Sequence, residues 1–281
     1  MKLSVLHRTR YEYTSAVSAS YNEAHLQPTS SDGQECHSFL LRVLPATRLS
    51  HYNDFYNNVV HFFEVPDPHD SLSVEANSIV TTIDTRIAGD ATVATLDRLP
   101  TLIEMDRCYD FLQMSPYVSV EPDVWRIAMD ATVGQTDVWQ TSLSIMQFIH
   151  AHFAYVPFST DVKTHMSEVI QQRRGVCQDF AHVMLGMCRT LKIPARYVSG
   201  YLYNGPTEHL IGAQASHAWC EVFLPGIGWR GLDPTNNQQP NEHYVKIGVG
   251  RDYADIVPLK GHYRGTPVRA MRVDVSVALA Q

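Results

Sequence analysis

The residue period changes once along this chain, and that change limits the architectures open to it. From Lys2 to about Ile87 the sequence is a series of short β-type runs: KLSVLHRTRYEY, SFLLRVLP, VVHFFEV, SLSVEA and SIVTTIDT. Clusters of Pro, Asp, Asn and Gly separate them, and short strands punctuated by turn residues predict an antiparallel sandwich or small barrel. Within DFYNNVV, Asn57-Asn58 reads as a hairpin turn, because Asn tolerates the left-handed backbone region. The stretch from about Ala88 to Ser119 is less regular, with Leu99-Pro100 and Ser115-Pro116, and reads as a connection. From Pro122 the period becomes helical, and TSLSIMQFIHAHFAY places Leu143, Met146, Ile149 and Phe153 on one face. A second helix is expected from Gly175 to Lys192. β-type runs then return: ARYVSGYLY, HAWCEVFL, WRGLDPT, HYVKIGVG and MRVDVSVAL. The order β, α, β predicts an α+β fold. An N-terminal antiparallel β-sandwich is expected over residues 1–95, and a core over 96–281 in which a helix packs on an antiparallel sheet.

Composition narrows the function classes. The 281 residues are 44% hydrophobic and 18% charged, ample for a packed core. The formal net charge of −7 disfavours nucleic acid or an anionic membrane surface as partner, since either needs a basic footprint. No apolar run has secretory or membrane-spanning length, so the expectation is a soluble, cytoplasmic protein. The five cysteines, Cys36, Cys108, Cys177, Cys188 and Cys220, lack CxxC spacing. Their odd number leaves at least one thiol unpaired and suits a reducing compartment.

One cysteine stands apart. In RRGVCQDFAHVMLGMCRTLKIPARYVSGY, the apolar residues Phe180, Met184, Met187, Cys188 and Leu191 have the spacing of a buried helical face. Asp179 falls in the first turn and Arg189 and Lys192 in the last, matching the helix macrodipole. Gly175 allows a tight approach and Pro194 ends the helix. Cys177 is thereby placed at the helix N-terminus, where unpaired N–H groups and the positive dipole end favour a thiolate and could stabilise an oxyanion. The other four cysteines read as small buried hydrophobes.

Partners for Cys177 occur in SHAWCEVFLPGIGWRGLDPTN, which reads as a hairpin. Alternation puts His217, Trp219, Glu221 and Phe223 on one strand face, and Trp229, Gly231 and Asp233 on one face of the next. Pairing Trp219 opposite Asp233 makes the carboxylate a diagonal neighbour of His217 and requires a loop from Leu224 to Gly228. A one-residue slip would send Asp233 to the other face. In this arrangement Cys177 is the nucleophile, His217 its base and Asp233 the group that orients the imidazole. The order Cys, His, acid is that of papain-type sites.

At these residues the sequence resembles the transglutaminase-like superfamily, in the bacterial branch described as candidate cysteine proteases. The matching text is GVCQDFAH, IPARYVSGY, ASHAWCEVFLPGIGW, GLDPTN and VGRDYADIVPLKGHYRG, within about Tyr155 to Gly265. Tyr11, Tyr13, Pro28 and Asp54–Val60 are similar to the β domain that precedes this core in the family. Asn57 departs from the Gly usual there, and Asn can make the same turn. The resemblance implies a papain-like, transglutaminase-like core and the Cys177–His217–Asp233 triad. It leaves the reaction open, since the superfamily includes transglutaminases, proteases, peptide N-glycanases and members without catalysis.

Five further residues are candidates for supporting roles. Asp179 and His182 lie near the nucleophile's side of the helix. Trp139 or Tyr155 is placed as a side-chain oxyanion donor, by analogy with a Trp upstream of the nucleophile in related enzymes. Trp219 would shield the site from water, and Gly250–Tyr253 would line the cleft. Without alternating acidic residues of a calcium loop, or short His/Cys ligand spacings, no metal or cofactor is expected. The expected partner is a peptide or protein amide. Hydrolysis through a thioester leads, with acyl transfer to an amine and a non-catalytic scaffold as alternatives.

Overall fold

The computed structural model describes residues 1–103, 105–205, 210–212 and 216–280. The first unit is built around one long strand, β1 (Lys2–Ala24), whose two halves belong to different layers. Its first half pairs antiparallel with β5 (His69–Thr82), which in turn pairs with β2 (Gln34–Leu44). Its second half pairs with β4 (Val59–Val65), which pairs with β3 (Leu49–Asn53). Between the layers lies a core that includes Val17, Leu41, Phe63, Leu72 and Val74. The Asn57-Asn58 hairpin joins β3 to β4 as predicted, with Asn57 at φ 65° in the left-handed region.

After two single-turn helices, Leu99–Leu102 and Met105–Cys108, the described residues form four longer ones: α1 (Pro122–Ala131), α2 (Val138–His152), α3 (Met166–Gln172) and α4 (Cys177–Thr190). The core sheet has the order β8-β7-β6-β9. Its strands are β6 (Ala195–Leu202), β7 (His217–Leu224), β8 (Gly228–Leu232) and β9 (Tyr244–Gly250). Helix α4 carries Cys177 at its start and packs against the Ala218, Cys220 and Val222 face of β7, while the other helices cover its far side. Every residue from Asp179 to Arg189 is therefore buried, a wider surface than the single apolar stripe predicted. On α2 the buried residues are Val138, Trp139, Thr141, Ser142, Ile145, Met146 and Ile149, with Leu143 only partly buried, so the buried face is wider than the expected one and is rotated from it. In the stretch 88–119, Leu99, Phe111 and Val118 are buried.

The last two strands depart from the expected 96–281 unit. β10 (Leu259–Arg264) pairs with the second half of β1, and β11 (Val268–Leu279) pairs with its first half from Leu3 to Tyr13. The physical reason is the edge of β1, which would otherwise present a long row of unpaired backbone groups. On the core side, the outer edge of β9 is covered by two amide side chains from the β-sandwich. Gln34 donates to the Lys246 carbonyl (2.7 Å) and accepts from its N–H (2.7 Å). Asn58 does the same at Val249, both at 2.8 Å. These paired amide bonds lock the sandwich onto the sheet, and the β-type residues Leu3, Val5 and Val80 pack against Tyr201, Val245 and Ile247 between them.

Candidate active site

Val176 is the N-cap of α4, so Cys177 is its first helical residue. The carboxylate of Asp179 reaches back to accept from the Val176 N–H (2.8 Å) and from the Thr160 hydroxyl (2.6 Å). Burial pushes the Asp179 carboxyl up from the usual carboxylate range. Gly175 permits this closeness, since a Cβ there would stand 2.7 Å from Asp179 Oδ2. The first intrahelical bond runs from Phe180 N–H to the Val176 carbonyl (3.1 Å), so the N–H groups of Cys177 and Gln178 precede the ladder and point past the helix start.

The hairpin register is the one that alternation requires. Gly228 pairs with Leu224 and Leu232 with Cys220, and one further step sets Asp233 opposite Trp219. Asp233 Oδ2 accepts from His217 Nε2 at 2.8 Å, with both side chains wholly buried. The same oxygen accepts from the Tyr244 hydroxyl (2.7 Å) and Asn236 Nδ2 (2.8 Å), while Oδ1 accepts from the Thr235 N–H (2.9 Å). Burial alone would raise the Asp233 carboxyl, but the His217 charge and these donors hold it below its ordinary value. For His217 burial likewise opposes the charge, yet Asp233 and then Cys177 outweigh it and push the imidazole up to about 10. Its other nitrogen, Nδ1, makes no ordinary hydrogen bond; it faces Gly212 and lies within electrostatic reach of Cys177. The arrangement can hold a protonated imidazole beside a thiol, the charge that stabilises a thiolate.

The supporting candidates divide. Trp219 is stacked on His217 (centroids 6.1 Å, 25°) and edge-on to Tyr244, so it covers the ring on one side. Tyr155 is half-buried against Phe180. Burial first, then the charges of Cys177, Asp179 and Asp233, push its hydroxyl up to about 12, leaving it a neutral donor near the sulfur. His182 is buried behind the site, stacked on Tyr117 (5.4 Å) and accepting from the Tyr253 N–H (3.2 Å). It fastens the Gly250–Tyr253 segment to α4 instead of facing substrate. Trp139 is a correction: it is fully buried, and its one indole donor is committed to the Ala88 carbonyl (3.2 Å), which removes it as an oxyanion donor.

Sequence reasoning missed Tyr244, Asn236 and Gly212. Asn236 lies three residues beyond Asp233 in DPTN, a spacing that lets an Asn turn back on a carboxylate, and this signal was legible. Tyr244 sits across the sheet on β9 and depends on tertiary pairing. Among the described residues, no group of three or more His, Cys, Asp or Glu side chains is arranged to hold a metal ion, and no helix is long and apolar enough to cross a membrane.

Residues 126–234 match the transglutaminase-like superfamily, and residues 3–81 match the bacterial transglutaminase-like N-terminal region. An uncharacterized protein of Mycobacterium leprae is 33% identical over 279 residues, covering 98% of each chain. A protein-glutamine gamma-glutamyltransferase of Pseudomonas aeruginosa is 32% identical over 136 residues, 44% of this chain and 20% of that protein. The crystal structure of a candidate cysteine protease from Cytophaga hutchinsonii is similar with a TM-score of 0.80 at 23% identity, over 100% of this chain and 92% of that one, a likeness of fold.

Proposed function

Because the chain belongs to the bacterial transglutaminase-like superfamily, we propose that it is a thiol-dependent amide hydrolase acting through Cys177, His217 and Asp233. The observation that carries this reading is the buried His217–Asp233 pair at 2.8 Å, with its imidazole held basic at about 10 beside Cys177. The Cys177 sulfur, its proton held on His217, attacks the carbonyl carbon of a peptide or protein amide. The carbonyl electron pair moves onto oxygen, where the N–H groups at the start of α4 and the Tyr155 hydroxyl donate to it. As the C–N bond breaks, the imidazolium gives its proton to the leaving amine, and a thioester remains. Water, deprotonated by His217, then attacks the thioester, releasing the acid and restoring the thiol. Asp233 keeps the ring in one orientation throughout.

Acyl transfer is the second reading, favoured by the similarity to the Pseudomonas protein-glutamine gamma-glutamyltransferase over this core. It shares every step to the thioester and differs in an amine replacing water. Among the described residues, which include all five cysteines, no disulfide is formed, which supports a cytoplasmic setting. The net charge of −7 supports an amide substrate over nucleic acid or an anionic membrane surface.

Iodoacetamide labelling across pH tests the reading. Fast alkylation of Cys177 below pH 7, abolished by Cys177→Ala and slowed by His217→Ala, is the expected result. A midpoint near about 8.5, that of an ordinary thiol, or another cysteine as the most reactive, would overturn it. Release of acid against incorporation of a labelled amine then separates hydrolysis from transfer.

A further inference from the structure

A cavity of about 770 Å³ is lined by neither Cys177 nor His217. It lies between the β-sandwich and the core sheet, on the sheet face that carries Trp219 and Glu221 and is turned away from α4. Its volume is within the range of small-molecule sites, about 300–1,000 Å³. Its floor is an ion cluster. Buried Glu221 accepts from Arg196 (2.7 Å) on one oxygen and pairs with Lys246 through the other. Burial would raise this carboxyl, but Lys246 and Arg196 hold it down at about 2, so it is ionised.

Two cations therefore share one carboxylate, and the floor keeps one positive charge in excess. The side chains of Arg196 and Lys246 are only 18% and 17% exposed, so that charge sits where water screens it weakly. At the rim, Arg107 and Arg230 stand with Asp32, Asp106 and Asp110, of which Asp32, Arg107 and Asp106 are exposed. Solvent screens charges so placed far more than those of the floor. Beside the floor stand the aromatic rings of Trp229 and Phe111. The Arg196 guanidinium lies 4.2 Å from the centre of the Trp229 ring, and Phe111 meets the same ring edge-on at 5.1 Å.

We propose that this cavity binds a small monoanionic ligand, a carboxylate carried on a flat aromatic body. The carboxylate meets Lys246 and Arg196, and the ring lies along Trp229. A carboxylate has the charge to complete the cluster, which has two donors and one acceptor group, and it takes charge-assisted bonds from both cations. The aromatic body has the shape to displace water from the Trp229 ring. Trp219 and Tyr244 line this cavity as well as backing the His217–Asp233 pair, but the ligand contacts proposed here, Lys246, Arg196 and Trp229, are none of the reacting groups, so the site stands whether or not Cys177 is a nucleophile.

The test is calorimetric titration of the whole chain carrying Cys177→Ala with 2-naphthoate, against 2-naphthalenemethanol and 2-naphthylmethylammonium as neutral and cationic probes. Tryptophan fluorescence gives a second readout, since Trp219 and Trp229 line the cavity. Saturable one-site binding of naphthoate is expected, with the neutral and cationic probes at least about tenfold weaker. Lys246→Gln should weaken naphthoate about tenfold and Lys246→Arg should retain it, while Glu221→Gln, which removes the competing carboxylate, should strengthen it. A general folding defect would weaken binding in all three variants. No saturable binding, equal affinity for the three probes, or equal loss in Lys246→Gln and Lys246→Arg would overturn the proposal.

Discussion

Gly212 lies against the imidazole of His217, so close that a Cβ on it would stand 2.5 Å from Nδ1. Its φ of +94° is also in the region that side chains rarely adopt. The segment is held there by Asn236, whose amide accepts from the Ile211 N–H (2.9 Å) and donates to the Ile211 carbonyl (3.2 Å). Because Asn236 also donates to Asp233 Oδ2, one side chain ties this loop to the acid that orients the base. Gly212→Ala should therefore displace either the loop or the ring. We expect amide turnover and Cys177 labelling to fall by about tenfold or more. An active Gly212→Ala variant would show that the ring position tolerates the methyl group.

The basicity of His217 sets an alkaline limit. Its folded value of about 10 lies above the ordinary 6.5, and after burial the causes are the charges of Asp233 and Cys177. The imidazolium, the proton donor to the leaving amine in the proposed mechanism, is thus retained at neutral pH and lost as pH rises through about 10. The linked stability has the same sign: it is fully present below 6.5 and is lost as pH rises toward 10. Asp233→Asn removes the larger attractive charge and should move the alkaline limb of the rate profile down toward neutrality. Tyr244→Phe removes one of three donors to Oδ2 and should lower the rate by a few-fold without a comparable shift. An alkaline limb unmoved by Asp233→Asn would separate the acid from the base it is taken to tune.

Local pattern carried much of this site. Alternation along HAWCEVFL and WRGLDPT was enough to set His217 and Asp233 on one face, because a strand's period of two leaves only one register that does so. Helix punctuation placed the start of α4 within two residues. What could not be read is long-range. β11 returns to β1 across nearly the whole chain, and nothing in MRVDVSVAL names its partner. Tyr244 reaches Asp233 only after β9 joins the sheet beside β6. The analogy with an upstream Trp in related enzymes singles out Trp139, but position in sequence does not fix where its indole points, and the ring is buried against the Ala88 carbonyl. The short helix α3 passed unnoticed because seven residues give too little periodicity.

Arg189 illustrates a residue that sequence assigns to the helix dipole and structure assigns to the core. It is 0% exposed, and its guanidinium donates to the carbonyls of Ala195 (3.0 Å), Gln113 (3.0 Å) and Arg251. Burial lowers its basicity to about 10, with Asp252 the first of the charges that oppose this. The cation thus joins α4, β6 and the segment after β9 by filling carbonyls that would otherwise lack donors. Arg189→Met keeps the volume and strands those acceptors, a loss of about 2–4 kcal/mol on the scale of buried polar groups left unpaired. Urea unfolding should show a lower midpoint with an unchanged slope. A midpoint equal to wild type would mean that water replaces the guanidinium at no cost.

Two buried histidines should make the fold sensitive to acid. His7 hydrogen-bonds through Nδ1 to the Tyr201 hydroxyl (2.8 Å) and through Nε2 to Thr9 (3.0 Å), at the junction of the sandwich and the core sheet. His182 is enclosed by Tyr117, Tyr197 and the Tyr253 N–H, with the charges of Arg189 and His165 acting on it. Burial lowers His7 to about 4, and burial followed by those two charges lowers His182 to about 3. The unfolded chain takes up both protons near 6.5, whereas the folded chain does not until much lower pH. Between those values the unfolded state binds more protons, so stability falls as pH falls, by up to about 1.4 kcal/mol per pH unit for each histidine. Wild type should therefore lose urea resistance steeply between pH 6.5 and 4. His7→Gln, which keeps a partner for Tyr201 but cannot titrate, should be less stable at pH 7 and lose less on acidification. Parallel slopes for wild type, His7→Gln and His182→Gln would place the acid sensitivity elsewhere, in the carboxylates of pairs such as Arg8–Glu75 and Arg196–Glu221.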